Sequence, residues 1–125
     1  EEELQGIADL VNSFRNSHHT SLGIICKTES QAKELIQKLQ IYANDISLLL
    51  NQSSAYVKGI IITSTHMAKG LEFDEVIIPQ TDDKNYHSNI DKSMLYVAAT
   101  RAMHKLTLTY SVSSPGCRFL ICLRN

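Results

Sequence analysis

No surplus of either charge marks this chain of 125 residues: 12 lysines and arginines stand against 13 aspartates and glutamates, for a formal net charge of −1. That balance excludes a bulk electrostatic pull toward nucleic acid. Any such contact must come from a local patch, or from parts of the protein outside this chain. Long hydrophobic runs are missing too. Ile46–Leu50 and Ile60–Ile62 are among the longest and are far too short to span a bilayer, so no membrane partner is expected. Cysteine is limited to Cys26, Cys117 and Cys122, with no C-x-x-C pair, which argues against a metal knuckle; no metal site is expected. The odd count fits a reducing, cytoplasmic compartment. Cys26 sits in an apolar run and reads as a small buried hydrophobe. Glu1, Glu2 and Glu3 leave no room for a basic n-region, so no signal peptide is expected, and the acidic start suggests a fragment of a longer protein. No G-x-x-x-x-G-K-[ST] string occurs, so the chain cannot cradle β- and γ-phosphates by itself.

What is present reads as ordinary globular protein, 43% hydrophobic and 20% charged, without repeats or low-complexity tracts. One domain over residues 1–125 is expected. Leu4, Ile7, Ala8, Leu10, Val11 and Phe14 give a helical stripe within Glu2–Ser17. Leu22–Cys26 is a short apolar run that predicts a strand buried on both faces. Thr28 followed by Gln31 three residues later forms a capping box for a helix through Leu39. Strands are predicted at Asp45–Leu50, Val57–Thr63, Glu75–Pro79 and Lys105–Tyr110. A helix is predicted over Lys92–Met103, a surface loop over Thr81–Asp91, and Arg118–Leu123 is a short apolar tail. Buried strands alternating with helices predict an α/β fold, a mostly parallel sheet flanked by helices.

The segment Thr63–Phe73 reads TSTHMAKGLEF. It places Thr65, His66, Lys69, Gly70 and Glu72 just after a buried strand. Ligands of parallel α/β sheets sit at the carboxyl ends of strands. Hydroxyl, imidazole and backbone N–H groups can donate to phosphate oxygens, and a carboxylate can accept from a sugar hydroxyl, so the cluster suits a polyanion. A solvated turn with a positive-φ glycine accounts for the same residues. Asp82, Asp83 and Asp91 fit no calcium-loop spacing and read as solvated surface. His18 and His19 read as loop residues with no need of a metal.

The string Thr65-His66-Met67-Ala68-Lys69-Gly70-Leu71-Glu72-Phe73 resembles motif V of UvrD/Rep-like superfamily 1 DNA helicases, and Asp74–Ile78 continue the usual strand. Leu95–Ala102, LYVAATRA, resembles the same family's motif VI, which ends in Thr-Arg-Ala. Lys27, Thr28, Gln31 and Ala32 match a strand–helix unit of the family more weakly. The three matches follow in family order from Leu22 to Tyr110. Larger members insert an accessory domain before motif V. Here about sixteen residues, Ile41–Tyr56, fill that gap, which resembles compact helicase IV-like and HelD-like members.

The resemblance implies the C-terminal RecA-like (P-loop NTPase-like) motor domain of an ATP-dependent helicase or translocase, without its own Walker A lysine. Arg101 would be the catalytic residue, reaching the ATP γ-phosphate across a cleft, where a guanidinium can stabilise charge during phosphoryl transfer. The plainer reading is an arginine satisfying carbonyls at a helix end. Gly70 and Glu72 would bind ATP, Glu72 through the ribose; the plainer readings are a turn and a surface carboxylate. Thr65, His66 and Lys69 would contact single-stranded DNA, although a structural hydrogen bond accounts equally for His66 and an acidic neighbour for Lys69. Tyr96 would pack in the core or against motif V. The implied partners are the N-terminal RecA-like domain of the same protein, which would hold most of ATP and Mg2+, and single-stranded DNA. The fragment alone would be inactive. The alternative is a non-catalytic RecA-like interaction module, for example one that binds RNA polymerase.

Overall fold

The computed structural model describes residues 2–42, 45–50, 59–82, 84–111 and 117–123, of which residues 2, 111 and 117–123 are described by their backbone alone. The elements are α1 (Glu2–Arg15), β1 (Ser21–Cys26), α2 (Glu29–Leu39), β2 (Ile46–Leu49), β3 (Gly59–Ser64), α3 (Thr65–Ala68), β4 (Phe73–Ile78), α4 (Asn89–Ala99), β5 (Ala102–Ser111) and β6 (Cys117–Leu123). They build one six-stranded sheet in the order β2-β3-β1-β4-β5-β6. The first five strands run parallel and β6 pairs antiparallel with β5. The predicted α/β fold, a mostly parallel sheet with helices on both faces, is the one observed.

Side-chain alternation divides the core in two. Leu22, Ile24 and Cys26 of β1 point toward α1 and α2, where they meet Ile7, Phe14, Leu39, Ile62 and Ile77. Ile25 points the other way, into a second cluster with Ala68, Leu71, Phe73, Ile78, Ala98 and Ala102 beneath α3 and α4. All six residues of β1 are buried, as its unbroken apolar run requires. Burial pushes the Cys26 thiol up to about 12, with a smaller contribution from Glu3, in keeping with an inert packed sulfur.

The capping box of α2 is present on both sides, Thr28 accepting from the Gln31 amide and Gln31 reaching back to the Thr28 amide. A second box, Ser88 with Asp91, starts α4 at Asn89, three residues before the predicted Lys92. The predicted helix also runs too far. Its end at Ala99 frees Thr100 and Arg101 for a turn, and β5 begins at Ala102. The predicted apolar tail is the edge strand β6. Ile90 and Tyr96 stand out from α4, at 76% and 71% exposure, so Tyr96 is a surface residue, where the sequence reading expects it packed in the core or against motif V. Apolar positions crowd this helix too densely for all of them to fit its single buried stripe. Part of the predicted β3, Val57 and Lys58, lies outside the described residues.

Candidate nucleotide and nucleic-acid edges

Strand direction decides where the predicted residues meet. β1, β3, β4 and β5 are parallel, so their first residues lie along one edge of the sheet and their last along the other. Six strand residues separate the edges by roughly 17 Å. The chain leaves β3 at the finishing edge, makes the single turn of α3, and returns through 69–72 to enter β4 at the starting edge. The segment that resembles motif V therefore connects the two edges, and its residues divide between them.

Thr65 and His66 lie at the finishing edge. Ser64 caps α3 by accepting from the Met67 amide. Thr65 is 2% exposed, and its hydroxyl donates to the Cys26 carbonyl at the end of β1 at 3.2 Å. That hydroxyl is thus committed to fixing the β3–α3 turn against β1. His66 is exposed beside it. Lys69, one residue past α3, is also exposed.

Gly70, Glu72 and Arg101 gather toward the starting edge. Gly70 has φ +83°, and a Cβ there would meet nothing within 4 Å, so the constraint on this position is conformational and not steric. Leu71 anchors the return, its amide bonded to the Ala68 carbonyl. Glu72 is exposed and makes no hydrogen bond among the described residues. Phe73 and Arg101 meet through the Phe73 amide, which donates to the Arg101 carbonyl at 2.9 Å. The guanidinium reaches back over the same segment, with Nη1 donating to Leu71 O at 3.4 Å and Nη2 to Thr100 Oγ1 at 3.2 Å. Its Nε is buried without a partner among the described residues. Arg101 is half-buried and incompletely satisfied, a state that suits a guanidinium whose remaining donors serve an anion.

Two clusters escaped the sequence reading. At the starting edge, His19 Nδ1 lies 2.6 Å from the buried Glu75 carboxylate, and its ring stacks on His104 at 5.1 Å between centroids. Asp74 accepts from the Thr20 amide and hydroxyl and from the Ser21 amide. At the finishing edge, Lys27 donates to the Asn85 carbonyl at 2.6 Å, pairs with Asp91 at 2.9 Å and lies over the Tyr86 ring. Asp91 is therefore a capped and paired residue, not the solvated carboxylate its sequence context suggests. The hydrogen bond from Lys27, with help from the Ser88 and His87 amides, holds its carboxyl down at about 2. The only local signal for any of this was Ser88 three residues before Asp91.

The residues present fit half of a nucleotide site. An exposed carboxylate, a positive-φ glycine and a partly satisfied guanidinium stand together, and the sequence carries no phosphate loop. No helix among the described residues is long and apolar enough to cross a membrane.

Comparison with known proteins identifies relatives. The profile of the UvrD-like helicase C-terminal domain matches residues 1–113. The chain is 29% identical to DNA helicase II of Escherichia coli K12 over 94 residues, 66% of this chain and 13% of that protein. It is 53% identical over 45 residues, 36% of its length, to the Gabija protein GajB of Bacillus cereus VD045, covering 9% of it. The chain thus spans only about a tenth of the length of the curated relatives it matches. Among solved structures, the C-terminal domain of a possible DNA helicase from Lactobacillus plantarum WCFS1 superposes with a TM-score of 0.77 at 27% identity, covering 91% of this chain and 69% of that one.

Proposed function

The chain belongs to the UvrD-like helicase C-terminal domain family, and from that premise we propose that it is the second motor domain of an ATP-dependent DNA helicase or translocase, completing an ATP site whose phosphate-holding half lies on an N-terminal RecA-like domain. The observation that carries this reading is the gathering of Gly70, Glu72 and Arg101 at one sheet edge, with Arg101 bonded to the very segment that bears Glu72.

Each residue has a chemical task. Arg101 stabilises negative charge on the terminal phosphoryl group; its bonds to Leu71 O and Thr100 Oγ1 hold the fork before the companion domain closes. Glu72 accepts from the ribose hydroxyls. Gly70 gives the backbone the left-handed conformation that brings this segment up to the nucleotide. ATP with Mg2+ supplies the phosphoryl chemistry, and the companion domain holds the metal and the β- and γ-phosphates.

His66 and Lys69 contact the backbone of single-stranded DNA, and Thr65 supports them by holding their turn to β1. Because α3 and residues 69–72 join this edge to the nucleotide edge, closure of the cleft on ATP is transmitted to the strand-binding residues through one short connection. The chain alone does not turn over ATP.

Arg101→Ala in the full-length parent tests the reading. DNA-stimulated ATP hydrolysis should fall by about a thousandfold, within the range of arginine-finger losses, while single-stranded DNA binding persists. Unchanged hydrolysis would refute the role of Arg101 and favour a non-catalytic interaction module.

A further inference from the structure

Glu72 is exposed and unpartnered among the described residues, yet the backbone on both sides of it is fixed. Before it, Leu71 is held by the Ala68 carbonyl and by Arg101. After it, the Phe73 amide is held by the Arg101 carbonyl, and the Phe73 ring lies so close over Gly23 that an added Cβ would stand 2.6 Å from it. Asp74 comes next, and there the sheet is irregular. The β4–β5 register shifts between Phe73 and Glu75, and the β1–β4 ladder begins only at Leu22 and Glu75. Asp74 is in neither ladder.

Its side chain provides the attachment that the ladders omit. Asp74 Oδ2 accepts from the Thr20 amide at 2.8 Å, the Thr20 hydroxyl at 3.1 Å and the Ser21 amide at 3.3 Å. In return the Asp74 amide donates to Ser21 Oγ at 2.9 Å, and Ser21 is 6% exposed. This closed ring ties the start of β4 to the start of β1 two residues from Glu72. Burial alone would raise the Asp74 carboxyl, but the three donors from Thr20 and Ser21 hold it below its ordinary range, so it accepts as a carboxylate.

We propose that Asp74 is a positioning residue for nucleotide-sugar recognition: its ring of hydrogen bonds with Thr20 and Ser21 holds the irregular start of β4 so that the Glu72 carboxylate meets the ribose hydroxyls. The inference rests on the reading of Glu72 as the sugar contact. The ring also strengthens the sheet, so stability alone does not test it. Discrimination between sugars does.

The experiment uses the full-length parent and compares KM and kcat for ATP and 2′,3′-dideoxy-ATP, which lacks the hydroxyls. In the unsubstituted protein KM should be about tenfold lower for ATP, the value of one or two well-placed hydrogen bonds. Glu72→Ala should bring the two KM values together. Asp74→Ala should do the same while changing kcat for ATP by no more than about twofold, a split expected of lost ground-state binding. Asp74→Asn retains an acceptor oxygen for the Thr20 and Ser21 donors and should keep most of the discrimination. If Asp74→Ala keeps the full ratio while Glu72→Ala loses it, the positioning role is overturned and the sugar contact stands. If Glu72→Ala keeps the ratio, the sugar contact falls and this inference falls with it. Should Asp74→Ala give no folded protein, Ser21→Ala breaks the ring from the other side. An intermediate ratio would support the role, and an unchanged one would overturn it.

Discussion

At the starting edge of the sheet, backbone amides, a ring packed on a glycine and a carboxylate ring fix Glu72 and Arg101, whose own functional groups stay open; at the finishing edge Thr65 and Lys27 spend their side chains in holding the structure, and His66 stands exposed beside them. Glu72 is exposed between pinned neighbours, and Arg101 keeps donors in reserve. Thr65 gives its hydroxyl to Cys26, and Lys27 gives its charge to Asp91 and Asn85. The difference matches what each proposed ligand demands. A nucleotide sugar and a phosphoryl group are met at single atoms, so small displacements cost much of the effect. A nucleic-acid backbone repeats the same charge along its length and is bound without base readout, so a few exposed groups on a stable ledge suffice.

The largest break in this comparison should come from Gly23→Ala. The new methyl would sit 2.6 Å from the ring of the fully buried Phe73, so the ring or the strands that carry the two residues must shift. Overpacking of this kind costs about 2 kcal/mol, readable as a lower urea midpoint at unchanged slope. The displacement reaches the starting edge first, so KM for ATP should rise while affinity for single-stranded DNA holds. An equal loss of both would mean that the two edges are not separately built.

Thr65→Val should have a smaller effect. Removing a buried hydroxyl that donates to a carbonyl costs about 1 kcal/mol, and Thr65→Ser should restore most of it. The contrast between the edges requires the stability loss to accompany any loss of DNA affinity. Weaker DNA binding in Thr65→Val at full stability would show that the hydroxyl serves the ligand directly.

The legible and illegible parts of the molecule separate along the same physical line. β1 and α2 could be read because their signals are local: an unbroken apolar run, then Thr28 and Gln31 three residues apart. The start of α4 was equally local, in Ser88 and Asp91, but a polar stretch obscured it. The turn that ends α4 gives no periodic signal, because Thr100 and Arg101 follow apolar Val97, Ala98 and Ala99 without a break. For the candidate site, residue types and spacing pointed to Thr65–Phe73, and Arg101 was joined to them only by resemblance to a family. The split of that segment between two edges depends on the direction in which β3 and β4 run, which spacing alone does not encode. Asp74 was illegible for a stronger reason. Its partners lie 53 and 54 residues away, and it acts where both ladders fail, so no periodicity marks it.

The mildest expected effect concerns acid, and it separates the staples at the two edges. Asp91 is held down at about 2 from an ordinary value of 3.8, first by Lys27 and then by the Ser88 amide. A carboxyl with a lower pKa in the folded chain than in the unfolded one binds fewer protons when folded. Its contribution is therefore complete above about pH 4 and is lost as pH falls toward 2. Asp91→Asn keeps the shape of the α4 cap but removes the charge that meets Lys27. Its melting temperature should lie below that of the unsubstituted chain at pH 6, and the gap should narrow between pH 4 and 2 until the two coincide. Asp74 is also shifted downward, so the unsubstituted chain and the Asp91→Asn variant should both continue to lose stability in acid through the starting edge. A gap that stayed constant down to pH 2 would mean that the Lys27–Asp91 contact stabilises through packing and not through charge, and the finishing edge would then be held, like Phe73 on Gly23, by shape.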